Sequence, residues 1–243
     1  MTIELRAPHP EEEPALRALF TEAFGDEAFT DLFFRRGYSP ERCFCALDGQ
    51  LLAALHWFDC QLEGKRAAYV YGIAAFEACR GMGIGSMLLR AVLSHLSQAG
   101  YGPVLLVPAE PSLFGYYARF GFRQVGTVRE ERIPAGSPIP LRQLTAREYG
   151  EARRRLLPAS SLLQEGAVLE LLGGYAQFYA SDRAIAAVSG DSVWELLGSM
   201  DDAPGLIAAL GLRAATVRTP GPGRPFAMGR NVDAPVYLGL ALD

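Results

Sequence analysis

A glycine-rich turn is the part of this sequence whose residues are best suited to bind an anion. The turn reads Arg80-Gly81-Met82-Gly83-Ile84-Gly85 and is followed by Ser86. Glycine lets backbone N–H groups approach an anion closely, and the first N–H groups of a helix add a positive potential. Such a turn at the start of a helix predicts a phosphate site, and we interpret the ligand as a pyrophosphate.

Two predicted elements position this turn. Before it, residues 68–75 form an apolar run of strand length, and after it apolar residues recur at helical spacing over about residues 84–98. Further along, residues 103–107 form a buried strand and residues 111–120 a short helix. Residues 122–125 and 127–133 are expected to form two further strands, and residues 236–241 a last one. The turn therefore joins a buried strand to an amphipathic helix, which is the setting that an anion site of this type requires.

Three common phosphate or nucleophile loops do not fit the turn. A Walker loop needs a lysine, and the turn has none. A dinucleotide fingerprint has glycine where this chain has Ser86, and residues 105–107 lack the acidic residue that the fingerprint places after the next strand. A Gly-x-Ser-x-Gly elbow around Ser86 fails at both glycine positions. The arrangement that remains is Arg80-x-x-Gly83-x-Gly85.

In its context this arrangement resembles the acetyl-CoA motif of the Gcn5-related N-acetyltransferase (GNAT) superfamily, Gln/Arg-x-x-Gly-x-Gly/Ala. In that family the motif follows a strand and opens a helix, and a strand, a short helix and an aromatic-Tyr-x-x-x-Gly-Phe ending come next. The corresponding ending here is Tyr116-Tyr117-Ala118-Arg119-Phe120-Gly121-Phe122. The resemblance covers about residues 42–126 and implies the GNAT fold.

The resemblance also implies where acetyl-CoA would bind. Its pyrophosphate would lie on the backbone N–H groups of Gly81, Met82, Gly83, Ile84, Gly85 and Ser86, with Arg80 lining the turn. Its pantetheine arm would pair along Ile73, Ala74 and Ala75 like an added strand. The thioester would lie where the strand of residues 67–75 splays from that of residues 103–107, and a backbone N–H near Ile73 to Ala75 would polarise its carbonyl.

Tyr117 matches the family tyrosine that protonates the leaving thiolate, although a tyrosine on a short helix also fits a packing role. Some family members carry a glutamate base where this chain has Tyr69. The sequence therefore does not identify the general base, which could be water, one of several carboxylates or a histidine. The side-chain candidates, each of which also fits a solvated or structural role, are His56, Asp59, Glu77, Glu110 and the C-terminal carboxylate of Asp243.

The predicted fold class is α/β (α+β), a GNAT fold with a mixed central sheet whose middle strands splay, flanked by helices. The turn-forming segment Pro-Ala-Gly-Ser-Pro at residues 134–138 predicts a boundary between a catalytic domain, 1–134, and a smaller α+β domain, 140–243. The second domain loosely resembles the C-terminal modules of Eis-type GNAT proteins and could be a degenerate GNAT-like domain. This second domain would line one side of the acceptor site or contact a second copy of the chain in a homodimer.

Composition limits the partners and the location. The formal net charge of the 243-residue chain is −4, and no basic half or tail exists, which argues against nucleic acid. The sequence shows neither a signal peptide nor an apolar run that could span a membrane, so a cytoplasmic protein without a membrane partner is expected. Three histidines and four scattered cysteines argue against a metal site.

The function predicted from this resemblance is acetyl-CoA-dependent N-acetyl transfer to a primary amine, by direct attack in a ternary complex with Tyr117 as general acid. The acceptor would be an amine-bearing small molecule or peptide. One alternative is a CoA-binding pseudoenzyme with a regulatory or scaffold role. Another is an RNA-directed transferase that uses aminoacyl-tRNA, which the acidic balance of the chain disfavours.

Overall fold

Five strands and three helices make up the first of two units of the chain. The computed structural model describes residues 2–233 and 235–242, and its contacts separate one unit that ends at Leu106 from a second that begins at Val107. The strands of the first unit are β1 (Glu4–Arg6), β2 (Cys43–Leu47), β3 (Leu51–Leu62), β4 (Lys65–Ala75) and β5 (Val104–Leu106). Its helices are α1 (Glu13–Phe24), α2 (Glu27–Arg36) and α3 (Ile84–Gln98).

The sheet of the first unit is mixed, in the order β1–β2–β3–β4–β5. Neighbours are antiparallel from β1 to β4, whereas β4 and β5 run parallel. The β2–β3 hairpin turns at Asp48-Gly49, where Gly49 has a φ of +74° that favours glycine. Helix α3 packs its apolar side against β2, β3 and β4, which fixes the strand on one side of the glycine-rich turn to the helix on the other.

Strands β4 and β5 separate after a short stretch of pairing. Only Ala68 with Val104 and Tyr69 with Leu105 are in register, although β4 continues to Ala75. This is the splay between the middle strands that the sequence predicted. On its other edge β4 remains paired with β3 as far as Ala75 and Ala53. One edge of the last third of β4 is therefore anchored, and the edge towards β5 has left its neighbour.

The second unit also contains a mixed sheet, in the order β13–β6–β12–β11–β10–β9–β7, in which β11 and β12 are the parallel pair. Its strands are β6 (Arg123–Pro134), β7 (Arg142–Leu144), β8 (Leu162–Leu163), β9 (Gln177–Ala180), β10 (Ala184–Ser189), β11 (Ser192–Gly198), β12 (Ala214–Pro220) and β13 (Arg224–Arg230). Its helices are α4 (Leu113–Ala118), α5 (Ala146–Leu156), α6 (Ala167–Leu172) and α7 (Ala203–Ala209).

Two sequence predictions in the second unit were wrong in detail. Residues 122–125 and 127–133 were expected to be two strands, but β6 is continuous because β12 and β13 pair with successive parts of it. Residues 236–241 were expected to be a strand, but consecutive N–H groups there bond to different segments, Val236 to Val125 and Tyr237 to Ser160. The domain boundary near residues 134–140 stays a prediction, and the contacts themselves divide at Leu106–Val107.

A buried ion pair lies inside the second unit. Glu195 of β11 and Arg153 of α5 are both fully buried, and the Arg153 Nε atom donates to the Glu195 carboxylate at 2.6 Å. The hydroxyls of Tyr149 and Tyr237 donate to the same carboxylate at 2.8 and 3.0 Å. Burial alone would lower the pKa of Arg153, but the Glu195 carboxylate outweighs it and raises that pKa. The carboxylate thus holds together α5, β11 and the segment around Tyr237.

We predict that Glu195→Ala lowers the free energy of unfolding by about 3–5 kcal/mol, because it leaves the Arg153 guanidinium buried without its counter-ion. Urea denaturation followed by circular dichroism measures the loss. The control is Glu151→Ala, which removes an exposed ion pair to Arg147 on the same helix and should cost less than about 1 kcal/mol. Equal losses in the two variants would contradict a structural role for the buried pair.

Candidate functional site

The glycine-rich turn adopts the conformation that its glycines permit. Gly81 and Gly83 have φ values of +77° and +79°, in the left-handed region that side chains disfavour. Apart from its neighbours along the chain, no described residue has an atom within 4 Å of a Cβ atom placed on Gly81 or Gly83, so the space beside the turn is open. Gly83 is the N-cap of α3, and its own backbone oxygen accepts the bond from Met87 N–H that starts the helix.

The N-terminus of α3 is available to an anion. The capping residue, Gly83, has no side chain that could accept a hydrogen bond, and the first turn of α3 contains no acidic residue. Both features leave the positive end of a 15-residue helix facing the open side of the turn. Ile84 is buried and anchors this end to the core, so only its backbone could contact a ligand, whereas Met82 is 54 % exposed.

Arg80 links the turn to the end of β4. Its Nε atom donates to the backbone oxygen of Ala75 at 3.3 Å, and the side chain is otherwise exposed. The guanidinium therefore lies at the junction between the turn and the last residue of the strand. Through this bond the structure brings together two groups of residues that the sequence singled out, residues 80–86 and residues 73–75, within the first unit.

A β-bulge lies immediately before residues 73–75. His56 of β3 pairs with Tyr71 and Ala54 with Ala74, so that Gly72 and Ile73 together face the single residue Leu55. Gly72 has a φ of +63°. The bulge increases the local twist and re-aims the backbone where β4 leaves β5. Sequence reasoning missed it, although a glycine inside an apolar strand pattern is the signal that marks such a bulge.

The bulge packs on aromatic side chains of α1 and α2. A Cβ atom on Gly72 would lie 3.0 Å from Cζ of Phe20, which is closer than a ring that is itself buried can tolerate without moving. Phe20 stacks on Phe33 with ring centroids 4.3 Å apart. The left-handed backbone and the nearby ring therefore both require glycine at this position.

His56 lies beside the bulge and is held neutral. Its side chain is buried, with 2 % exposure, and neither ring nitrogen has a hydrogen-bond partner among the residues that the structure describes. The rings of Phe20, Phe33 and Tyr38 surround it at centroid distances of 5.0–5.7 Å. Burial lowers the pKa of His56 to about 3, which opposes its use as a base in this state.

The other base candidates differ in their partners. Asp59 is paired with Arg42 at 3.1 Å and with Arg66 at 3.5 Å, and it also accepts from the Tyr101 hydroxyl. Glu77 is exposed just after β4.

Glu110 is exposed and accepts a hydrogen bond from the hydroxyl of Ser112. Asp243 lies outside the described residues. Asp59 is thus already committed to cations, while Glu77 and Glu110 face solvent.

Tyr117 belongs to α4 in the second unit. Its ring packs against Tyr116, with centroids 5.1 Å apart, and against Phe122 at 6.0 Å. Burial, together with the neighbouring Tyr116, raises the pKa of the Tyr117 hydroxyl to about 12. The hydroxyl is therefore protonated throughout the neutral range and can act as a hydrogen-bond donor.

Two features are absent from the part of the chain that the structure describes. Across residues 2–233 and 235–242, no group of three or more His, Cys, Asp or Glu side chains is arranged to hold a metal ion. Within the same ranges, every helix is too short or too polar to cross a bilayer.

The family follows from a match over half of the sequence. The model of the acetyltransferase (GNAT) domain family matches residues 4–125, which include β4, the glycine-rich turn, α3 and Tyr117. The chain belongs to the GNAT acetyltransferase family. The resemblance noted from the glycine-rich turn and from the aromatic ending around Tyr117 is thereby confirmed.

Solved structures share the fold at low sequence identity. A GCN5-related N-acetyltransferase from Kribbella flavida is 17 % identical, with a TM-score of 0.69 over 94 % of this chain and 70 % of that one. One from Anabaena variabilis is 15 % identical, with a TM-score of 0.71 over 96 % and 73 %. Eis1 from Mycobacterium abscessus is 16 % identical, with a TM-score of 0.67 over 94 % and 73 %.

These neighbours confirm the predicted mixed α/β GNAT fold. One of them is an Eis-type protein, although the likeness of the C-terminal module is loose. A search of curated protein sequences found no match.

We predict that Gly72→Ala destabilises the protein by about 2–3 kcal/mol, from the cost of a left-handed backbone and from displacement of the Phe20 ring. Gly49→Ala is the matched control, since Gly49 has a similar φ of +74° and open space around its Cβ position. That control should lose only about 1 kcal/mol of stability, which is the cost of a left-handed backbone at alanine. Thermal and urea denaturation compare the two variants. If the control is as destabilised as Gly72→Ala, the contact with the Phe20 ring contributes nothing to the loss of stability.

Proposed function

We propose that this GNAT-family protein is an acetyl-CoA-dependent N-acetyltransferase that moves an acetyl group to a primary amine. The observation that carries the proposal is the combination of an uncapped helix N-terminus with a bulged strand that has left its neighbour, joined by the bond from Arg80 to Ala75. The first feature suits a pyrophosphate, and the second supplies a strand edge to which an amide-containing arm can bond.

The residues that would hold acetyl-CoA lie in the first unit. Backbone N–H groups from Gly81 to Ser86 would contact the pyrophosphate, with the exposed Arg80 guanidinium beside it. Ile73, Ala74 and Ala75 would pair with the pantetheine amides, because the pairing of Ala74 and Ala75 with β3 on the opposite edge holds this segment in place. An N–H group of this segment would stabilise the negative charge that develops on the thioester oxygen.

The proposed reaction is direct aminolysis of a thioester. The lone pair of the neutral amine attacks the carbonyl carbon, the new C–N bond forms, and the C–S bond then breaks as the tetrahedral intermediate collapses. The leaving sulfur needs a proton or a hydrogen bond, and we assign this role to the Tyr117 hydroxyl. Its pKa of about 12 keeps the hydroxyl protonated and ready to donate.

The attacking nitrogen must lose a proton, because alkylamines are largely protonated near neutral pH. His56 is kept neutral by burial and Asp59 is engaged by two arginines, so neither is favoured as the acceptor of that proton. Water, Glu77, Glu110 and the C-terminal carboxylate remain the candidates. A cytoplasmic location, a homodimer, and the absence of nucleic-acid or membrane partners stay predictions.

We predict that Gly83→Ala weakens CoA binding by about 10-fold or more, because the added methyl group enters the open space in which the pyrophosphate would lie. Isothermal titration calorimetry with CoA measures the dissociation constant. Gly64→Ala is the control, since Gly64 has a similar φ of +75°, equally open surroundings and a position in the β3–β4 turn. The proposal fails if the unmodified protein gives no heat with CoA or acetyl-CoA.

We predict that Tyr117→Phe lowers kcat about 100-fold or more while the CoA dissociation constant stays within about 2-fold, because only the proton donor is lost. Thiol release from acetyl-CoA with a panel of amines measures turnover, and Tyr116→Phe is the neighbouring control. Because the pKa of Tyr117 is raised, kcat of the unmodified protein should not fall between about pH 8 and pH 10 through loss of this proton.

The same assay separates an enzyme from the alternative of a CoA-binding pseudoenzyme. A pseudoenzyme would bind CoA but release no thiol with any amine, and the Tyr117→Phe change would then have no effect to measure. Full activity in Tyr117→Phe would instead retain the enzyme and remove Tyr117 from its mechanism.

A further inference from the structure

A cluster of aromatic side chains lies against the bulged part of β4. We call Phe20, Phe24, Phe29, Phe33 and Tyr71 the aromatic cluster; they come from α1, α2 and β4. Phe20 and Phe33 form its buried base, with 1 % and 0 % exposure. Phe24 contacts Phe20 at a centroid distance of 4.6 Å and yet is 41 % exposed. The cluster therefore has a packed base and an outer ring that faces solvent.

The outer part of the cluster is formed by rings from three elements, α1, α2 and β4. Phe24 and Tyr71 lie nearly parallel, with an angle of 8° between their planes and 6.4 Å between their centroids. Phe29 also packs against Phe24, with ring centroids 6.4 Å apart. The buried rings below fix the direction of these outer rings, because Phe20 contacts both Phe24 and Tyr71. An exposed aromatic surface that is held in this way is preformed for an apolar or cationic ligand.

The cluster borders the strand segment to which the proposed function assigns the thioester. Tyr71 directly precedes Gly72, and the Phe20 ring lies 3.0 Å from the Cβ position of Gly72. Ile73, the next residue, is the first of the three that would pair with pantetheine. A molecule bound on Phe24 and Tyr71 would therefore lie beside the acetyl group, so this inference rests on the proposed function.

Acidic residues outnumber basic ones around the cluster. Residues 17–36 contain four acidic residues, Glu22, Asp26, Glu27 and Asp31, and three arginines, Arg17, Arg35 and Arg36. Asp31 is paired with Arg17 at 2.9 Å, and Asp26 caps α2 by accepting from Phe29 N–H.

Glu22 is the carboxylate fixed beside β4, because its Oε1 atom accepts from the N–H of Glu77 at 2.6 Å. A carboxylate held at the end of β4, on the helix that also carries Phe24, can attract an ammonium group.

We infer that the acceptor is a small primary amine carried on an aromatic or similarly flat apolar group. The apolar group would cover Phe24 and Tyr71, while Glu22 and the ring faces would attract the ammonium before it loses its proton. A linear polycation carries no flat apolar group that could cover the rings. The aromatic cluster is thus a specificity-determining surface of the proposed acetyl transfer.

The test compares three acceptors, 2-phenylethylamine, n-butylamine and spermidine, in the thiol-release assay with acetyl-CoA. We expect kcat/KM for 2-phenylethylamine to exceed that for n-butylamine by about 10-fold or more. Phe24→Ala and Phe24→Leu should both bring this ratio to within about 3-fold of one, mainly by raising KM for the aromatic amine. The leucine variant keeps apolar volume and guards against a folding defect.

Two further variants complete the design. Glu22→Gln should raise KM for both monoamines by about 3- to 10-fold, because it removes a charge without changing shape. Leu156→Ala is the matched control, since Leu156 is also 41 % exposed but belongs to α5 of the second unit, and it should leave every ratio unchanged. Equal use of the two monoamines, or a preference for spermidine, would overturn the inference while the proposed function stands.

Failure of the proposed function has a different signature. In that case no amine releases thiol and CoA gives no heat, and the cluster is then tested by direct calorimetry with 2-phenylethylamine. Binding that Phe24→Ala and Phe24→Leu abolish, and that Leu156→Ala retains, supports an aromatic-amine site. Absence of binding, or equal binding by all variants, refutes it.

Discussion

The candidate site depends on the β-bulge in β4, where two residues of β4 face a single residue of β3. Because Gly72 and Ile73 together oppose Leu55, β4 turns where its pairing with β5 has already stopped. The strand can hold this shape because its other edge stays bonded to β3 and because the Phe20 ring supports it from below. The glycine-rich turn then leads directly into α3. An anion site and an unfilled strand edge thereby lie on the same rigid unit, which is what binding a long, charged thioester requires.

The sequence predicted the elements around this site well because their signals are local. An apolar run, three glycines and helical periodicity identified β4, the turn and α3 within a residue or two. The bulge could not be read in the same way, since it depends on how β3 and β4 are registered. The neutral state of His56 also depends on tertiary packing, because its burial results from rings on α1, α2 and the loop after α2. Residue type alone made His56 a candidate base, and its surroundings argue against that role.

In the second unit, local sequence patterns did not predict the features that matter most for its packing. Glu195 occurs in a strand pattern of alternating residues, in which an acidic residue is expected to face solvent. It is instead fully buried, since Arg153 on a helix 42 positions earlier and two tyrosine hydroxyls satisfy it. No local pattern shows such a partner. The continuous β6 was missed for a related reason, because β13, which pairs with β6 on both sides of Gly126, is far away in sequence.

The segment around Tyr237 has little regular secondary structure, yet it is tied into the core of its unit. A side chain at Gly239 would overlap both the Tyr237 hydroxyl and the Glu195 carboxylate, and the backbone oxygen of Leu240 accepts from the buried Gln164. Segments without regular secondary structure usually open with little cost in free energy. Here, detaching residues 236–242 would withdraw a hydrogen bond from a buried charge. This segment is therefore joined to the cooperative opening of its unit, and its amides should exchange with solvent as slowly as those of the central strands.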